Sequence, residues 1–114
     1  MKLAIVGGGN TMLKAPFEDP EYDIWTTPSI SKSIPRVTTM FEFHNKEAYQ
    51  LPEVYLKGDV IFKDEFPVRE LEIIYGKIFP SSMNLILAYA LQLGYKHIEL
   101  YGIDEARDTE YERF

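Results

Sequence analysis

The stretch LAIVGGGNT, residues 3–11, joins a short apolar run to three consecutive glycines. Four apolar residues in succession indicate a strand that is buried on both faces, as in the middle of a parallel sheet. Glycines after such a strand provide either a left-handed backbone or room for another group to come close. The stretch therefore predicts an α/β fold. It leaves open whether the glycine loop is only a tight turn or also a cradle for a ligand.

The rest of the chain alternates between short strands and helices. We expect a helical turn at 11–14, strands at 22–27, 36–44, within 53–63 and at 97–101, helices at 66–76 and 80–95, and a loop at 29–35. The helix at 80–95 has Ser81 or Ser82 as its N-cap and Gly94 as its stop, and its many apolar residues predict that it is largely buried. The pattern predicts one Rossmann-like α/β domain over residues 1–114, doubly wound around a mostly parallel sheet.

The composition excludes several classes of protein. A formal net charge of −6 argues against a nucleic-acid or anionic-membrane partner, and the lack of cysteine excludes disulfides and thiolate chemistry. No apolar run is long enough for a signal peptide or a membrane span, so we expect a cytoplasmic protein. The pattern indicates neither a metal nor a cofactor. The aromatic content of 14% predicts a leftover apolar patch, and hence a homodimer or a larger assembly.

Ligands of doubly wound sheets bind outside the carboxyl ends of the strands, so the candidate site residues follow the predicted strands. They are Gly7, Gly8, Gly9, Asn10, Thr11, Thr26, Glu42, His44, Ser81, Ser82 and Asp104. Glu42 and His44 share one strand face and predict an acid–base pair in a pocket, or else a solvated strand end. Ser81 and Ser82 can cap a helix and bind phosphate at the same time.

The dinucleotide fingerprint G-x-G-x-x-G matches only in part. Gly7 and Gly9 fit, but Met12 stands in place of the third glycine, and no acidic residue ends the second predicted strand. The carboxylate that would bind a ribose is therefore missing, and the Walker pattern is absent. This argues against NAD or FAD as a cofactor.

Four stretches carry a family resemblance: LAIVGGGNTMLKAPF, YDIW, MFEFH and FPSSMNLILAYALQLGYKHIELYGIDEARDTEY. Together they resemble small, mostly phage-encoded Rossmann-like proteins. They are also similar to the bacterial sialyltransferases that use CMP-sialic acid and, more distantly, to pterin pyrophosphokinase-like domains. The resemblance implies that the glycine loop and the serine-rich helix start hold a nucleotide, and that Tyr111 approaches its phosphate.

The resemblance favours binding over transfer. Gly8 and Pro28 stand where the sialyltransferases carry asparagines, and the family's general-base histidine would lie beyond Phe114. The leading expectation is a phage-type protein that binds a nucleotide or nucleotide-derived small molecule at the carboxyl edge and sequesters it. One alternative is a reduced nucleotide-sugar glycosyltransferase with His44 or Asp104 as its base. The other is a protein-interaction module that kept the fold and lost the site.

Overall fold

The computed structural model describes residues 1–43, 58–76 and 82–103. The strands are β1 (Lys2–Val6), β2 (Tyr22–Thr26), β3 (Thr39–Glu42), β4 (Asp59–Phe62) and β5 (Ile98–Tyr101), and the helices are α1 (Pro28–Ser31), α2 (Val68–Tyr75) and α3 (Ser82–Gln92). Single 3-10 turns lie at Met12–Lys14 and Lys63–Glu65. All five strands are parallel, in the order β4-β3-β2-β1-β5. The predicted Rossmann-like α/β fold is confirmed.

β1 lies between β2 and β5, and its residues 3–6 are buried on both faces, as their all-apolar sequence predicts. Leu3 and Ile5 point to one face of the sheet, here the first face, where they pack in a core that includes side chains of α2 and α3. Ala4 and Val6 point to the opposite, second face, which is covered by residues from the segment 12–37. A strand covered on both faces needs no alternation of polar and apolar residues.

Aromatic rings fill much of the first face. Trp25 lies 4.9 Å from Phe41 between ring centroids, and Phe66 lies 5.2 Å from Tyr89. Phe41 also meets both Phe66 and Tyr89 edge to face, at 5.8 and 5.9 Å. These edge-to-face contacts add to the hydrophobic stabilisation from the buried area, and they fix α3 over β2 and β3.

The prediction that the helix at 80–95 is largely buried is wrong. α3 buries Ile86, Ala88 and Ala90 against the sheet, whereas Leu91 is 51% exposed. Leu93, just after the helix, is 54% exposed. The reason is that α3 lies on one face of the sheet, and no described element covers its outer side. Its stop is as predicted, since Gly94 has a φ of +94°.

Two further boundaries differ from the sequence-based expectation. The predicted loop at 29–35 begins with the short helix α1, in which Pro28 occupies the favoured first position. The third strand begins at Thr39 rather than at residue 36, because its pairing with β2 begins at Thr39 and Trp25. The Arg36 guanidinium donates to the carbonyl oxygens of Phe17 and Asp19. In the part of the chain that is described, no helix has the length and apolar character needed to cross a membrane.

Candidate functional site at the carboxyl edge

The direction of the chain across the sheet reverses at β1. β2, β3 and β4 follow one another on one side of β1, and β5 pairs with its other side. In open parallel sheets the carboxyl ends of two strands that flank such a reversal form the usual ligand-binding crevice. Residues 7–11 follow β1 and Gly102 follows β5, so the predicted glycine loop lies at this point.

The glycine loop is joined to the end of β5 by three hydrogen bonds. The Gly7 amide donates to the Tyr101 carbonyl, and the Gly9 amide donates to the Gly102 carbonyl, each at 2.7 Å. In return, the Gly102 amide donates to the Thr11 hydroxyl at 2.7 Å. These bonds extend the pairing of β1 with β5 beyond the strands and hold the loop in one position.

Steric contact explains why two of these positions are glycine. A Cβ at Gly7 would lie 2.6 Å from the Gly102 carbonyl oxygen, and a Cβ at Gly102 would lie 2.1 Å from the Gly7 carbonyl oxygen. Gly102 also has a φ of +68°, whereas none of the three loop glycines has a positive φ. Gly7 is therefore a glycine because the backbone of β5 comes close, and not because the turn is left-handed.

Gly8 and Asn10 lie on the outside of the same loop. Both are exposed, and their amides make no hydrogen bond to another described residue. A Cβ at Gly8 would meet only the flexible end of Ile30, at 3.0 Å. These two positions are the part of the predicted loop that remains open to a ligand.

The hydroxyl of Thr26 is engaged within the sheet. Thr26 is fully buried, and its Oγ1 donates to the Val6 carbonyl oxygen at 2.7 Å. This bond ties the end of β2 to the end of β1 directly beneath the glycine loop. The Thr26 hydroxyl therefore joins two strands of the sheet, a role that the sequence did not predict.

The other predicted residues are spread along the carboxyl edge. Glu42 is buried at the end of β3, and β2 separates it from β1. Ser82 is exposed at the first residue of α3, a helix that leads into β5 and whose start therefore lies on the carboxyl side. His44, Ser81, Asp104 and Tyr111 lie outside the described residues.

A polar cluster on the second face escaped the sequence analysis. The carboxylate of Glu99 accepts hydrogen bonds from the hydroxyls of Tyr101 and Tyr22, the latter at 2.6 Å, and it contacts His97 Nε2. Hydrogen bonds from Tyr101, Tyr22 and His97 lower the pKa of Glu99 to about 2. The bond to Glu99 raises the pKa of Tyr101 to about 12. Such a carboxylate stays ionised and is a poor proton acceptor near neutral pH.

The alternation of residues 97, 99 and 101 could have revealed this cluster, because they belong to one predicted strand, 97–101, and alternate residues of a strand share one face. Among residues 1–43, 58–76 and 82–103, no group of three or more His, Asp or Glu side chains could hold a metal ion. Comparison of the chain with protein-family models, with curated proteins and with solved structures gives no match.

Proposed function

We propose that this chain binds a nucleotide or a nucleotide-derived small molecule at the carboxyl edge between β1 and β5. One observation carries the proposal: the strand order reverses at β1, and the glycine loop of residues 7–11 follows that strand. A crevice at such a reversal is where doubly wound proteins bind their ligands. The three hydrogen bonds to the end of β5 hold the loop in place before any ligand arrives, which reduces the ordering cost of binding.

Anionic groups of the ligand would meet donors here. The exposed Gly8 and Asn10 amides offer two N–H groups on either side of the Gly9 amide, which is bonded to Gly102, and backbone N–H groups in a loop can bind an anion. The first turn of the 11-residue helix α3 adds amides with partial positive charge and the Ser82 hydroxyl. These groups favour phosphate over an uncharged ligand.

Binding is favoured over catalysis. Residues 7–11 after β1 and residues 102–103 after β5 include no histidine, aspartate or glutamate. Glu42 lies on β3, and β2 separates that strand from β1. A general base must reach the proton that it removes. We therefore propose a sequestering or sensing role, of the kind expected of a phage-type cytoplasmic accessory protein.

Self-association is part of this proposal. Apolar side chains stand exposed on α2 and on β5, with Ile73 at 76% and Leu100 at 50%. Exposed apolar residues that form a continuous patch usually mark an interface. Light scattering at micromolar concentrations is expected to show a homodimer or a larger species, and a monomer would remove this element of the proposal.

A thermal-shift screen against nucleotides and nucleotide sugars tests the proposal, because a bound ligand raises Tm as its concentration exceeds Kd. We expect a nucleotide to raise Tm of the parent protein, and the Gly8→Val variant to stay folded and lose that shift. Ser82→Ala should weaken binding about fivefold, since a lost hydrogen bond costs about 1 kcal/mol. Ser33→Ala, an exposed serine on the α1 side, is the matched control and should bind normally.

Two outcomes would overturn the proposal. One is the absence of any shift with nucleotides, which would favour the interaction-module alternative. The other is turnover of CMP-sialic acid that is lost in His44→Ala, which would favour the reduced glycosyltransferase. An unfolded Gly8→Val protein would show that Gly8 is also required by the turn, and Asn10→Pro, which removes the Asn10 amide N–H, then serves as the binding variant.

A further inference from the structure

A cavity of about 330 Å³ lies at the amino edge of the sheet, on the first face. The strand register brings its polar floor together: Asp59 of β4 pairs with Thr39 of β3, and Thr39 pairs with Trp25 of β2. Asp23 lies two residues before Trp25 and so shares the same face. Tyr89 and Tyr95, from α3 and the turn after it, complete the lining. This edge is opposite to the proposed nucleotide site.

The charged side chains that line this cavity are both acidic. Asp23 and Asp59 line it, and no lysine or arginine does so among the described residues. The Tyr95 hydroxyl donates to Asp23 Oδ2 at 2.6 Å, which holds that carboxylate in place. The Asp59 side chain is exposed.

Three aromatic rings, those of Trp25, Tyr89 and Tyr95, form part of the lining, together with the apolar side chains of Ile61 and Leu93. The Trp25 indole stacks on Tyr89 with centroids 5.8 Å apart and planes 29° apart, and it meets Tyr95 edge to face at 5.3 Å. Aromatic faces attract organic cations through the ring quadrupole. A hard metal ion would instead need more oxygen ligands, and the described residues offer no group of three.

We propose that this amino-edge cavity binds a short aliphatic diammonium ion. One ammonium group pairs with the carboxylate of Asp23 and the other with that of Asp59, which lies two strands away, and the methylene groups pack against the rings of Tyr89 and Tyr95. A volume of about 330 Å³ is at the small end of ligand sites, which fits a short amine. The inference is independent of the proposed function, because it concerns a different edge and a ligand of opposite charge.

Trp25 is the chain's single tryptophan and lines this cavity, so tryptophan fluorescence has one source, which lies beside the proposed ligand. The test is a titration with putrescine, with 1,4-butanediol as an uncharged probe of the same length. We expect a saturable fluorescence change with putrescine and none with the diol. Asp59→Asn should raise Kd for putrescine about tenfold, because it removes a charged partner of the ammonium. Its backbone bond to Thr38 does not involve the side chain.

Asp64→Asn is the matched control, since it removes the same charge from an exposed position outside the cavity. Equal loss of affinity in Asp59→Asn and Asp64→Asn would show only a long-range charge effect and overturn the inference. An equal response to the diol would overturn it too, as would displacement of putrescine by equimolar Mg²⁺ or Ca²⁺. Circular dichroism of both variants excludes unfolding as the cause, and Asp23→Asn provides a second variant.

Discussion

The two edges of this sheet differ in the groups that meet there: backbone groups at the carboxyl edge and side chains at the amino edge. At the carboxyl edge between β1 and β5, backbones meet: Gly7 and Gly102 face each other, and two amide–carbonyl bonds join the loop to the strand end. At the amino edge of β2, β3 and β4, side chains meet around an open cavity. Glycines in a sequence therefore mark places where the chain approaches itself as readily as places where a ligand binds.

The comparison predicts opposite responses to substitution. A carboxyl edge that depends on close backbone contact should lose stability when a single methyl group is added. An amino edge that consists of side chains around open space should keep its fold when a carboxylate becomes an amide. Substitutions at the backbone contact, at the bond beneath it, and in a polar cluster outside both edges sharpen this difference.

Gly102→Ala is expected to have the largest effect. Its Cβ would lie 2.1 Å from the Gly7 carbonyl oxygen, and the residue has a φ of +68°. Strain and clash together should lower the free energy of unfolding by about 3 kcal/mol. Urea unfolding measures this loss.

Gly94→Ala is the matched control, because Gly94 has a φ of +94°, but a methyl group added there would have no atom within 4 Å. It carries the conformational strain without the clash and should cost about 1 kcal/mol. Equal losses in the two variants would mean that left-handed backbone, and not the approach of two backbone segments, requires the glycine at 102.

Thr26→Val should have an intermediate effect. The change keeps the shape of the side chain and removes the hydroxyl that donates to the buried Val6 carbonyl. A buried acceptor that loses its donor costs about 1–2 kcal/mol. Thr27→Val is the control, since the Thr27 hydroxyl has only a 3.4 Å contact with Ser29, and chemical denaturation should find it nearly neutral.

The Glu99 cluster should produce the smallest effect, and one that depends on pH. The folded protein lowers the pKa of Glu99 from 4.5 to about 2 through the bonds from Tyr101, Tyr22 and His97. The stabilisation is therefore complete above about pH 4.5 and is lost as the pH falls towards 2. Because the carboxylate is partly exposed, we expect no more than about 1 kcal/mol.

Unfolding at pH 6 and at pH 3 measures this contribution. Glu99→Gln should destabilise the protein at pH 6 and make its stability less sensitive to acid than that of the parent. Glu18→Gln, an exposed change on another segment, should leave the acid dependence unaltered. A Glu99→Gln protein that keeps the parent's full acid sensitivity would show that the Glu99 hydrogen bonds do not cause the pH dependence of stability.

Local sequence was sufficient to predict the elements whose structure depends mainly on their own residues. The apolar run of β1 predicts burial on both faces, and Gly94 predicts the end of α3. Residues after each strand predict the carboxyl edge, because all strands of a parallel sheet end on one side. The outer side of α3 could not be predicted, since apolar content does not reveal how many layers cover a helix.

Most of the features that the sequence did not predict depend on contacts between residues that are far apart in the chain. Gly7 and Gly102 are far apart in sequence, and only the pairing of β1 with β5 brings their backbones together. The same holds for the amino-edge cavity, where Asp23, Thr39 and Asp59 become neighbours through strand register. Thr26 was predicted as a ligand contact from its position, but the position does not reveal that the Val6 carbonyl takes its hydroxyl.

The central claim is that the open outer side of the glycine loop binds an anionic nucleotide. Titration of the ¹⁵N-labelled protein with CMP, followed by amide chemical shifts, tests it residue by residue. We predict saturable shifts at Gly8, Asn10 and Thr11, with little change at the amides of Asp59 and Tyr95 on the opposite edge. No saturable shift in the loop, or shifts confined to the amino edge, would contradict the account.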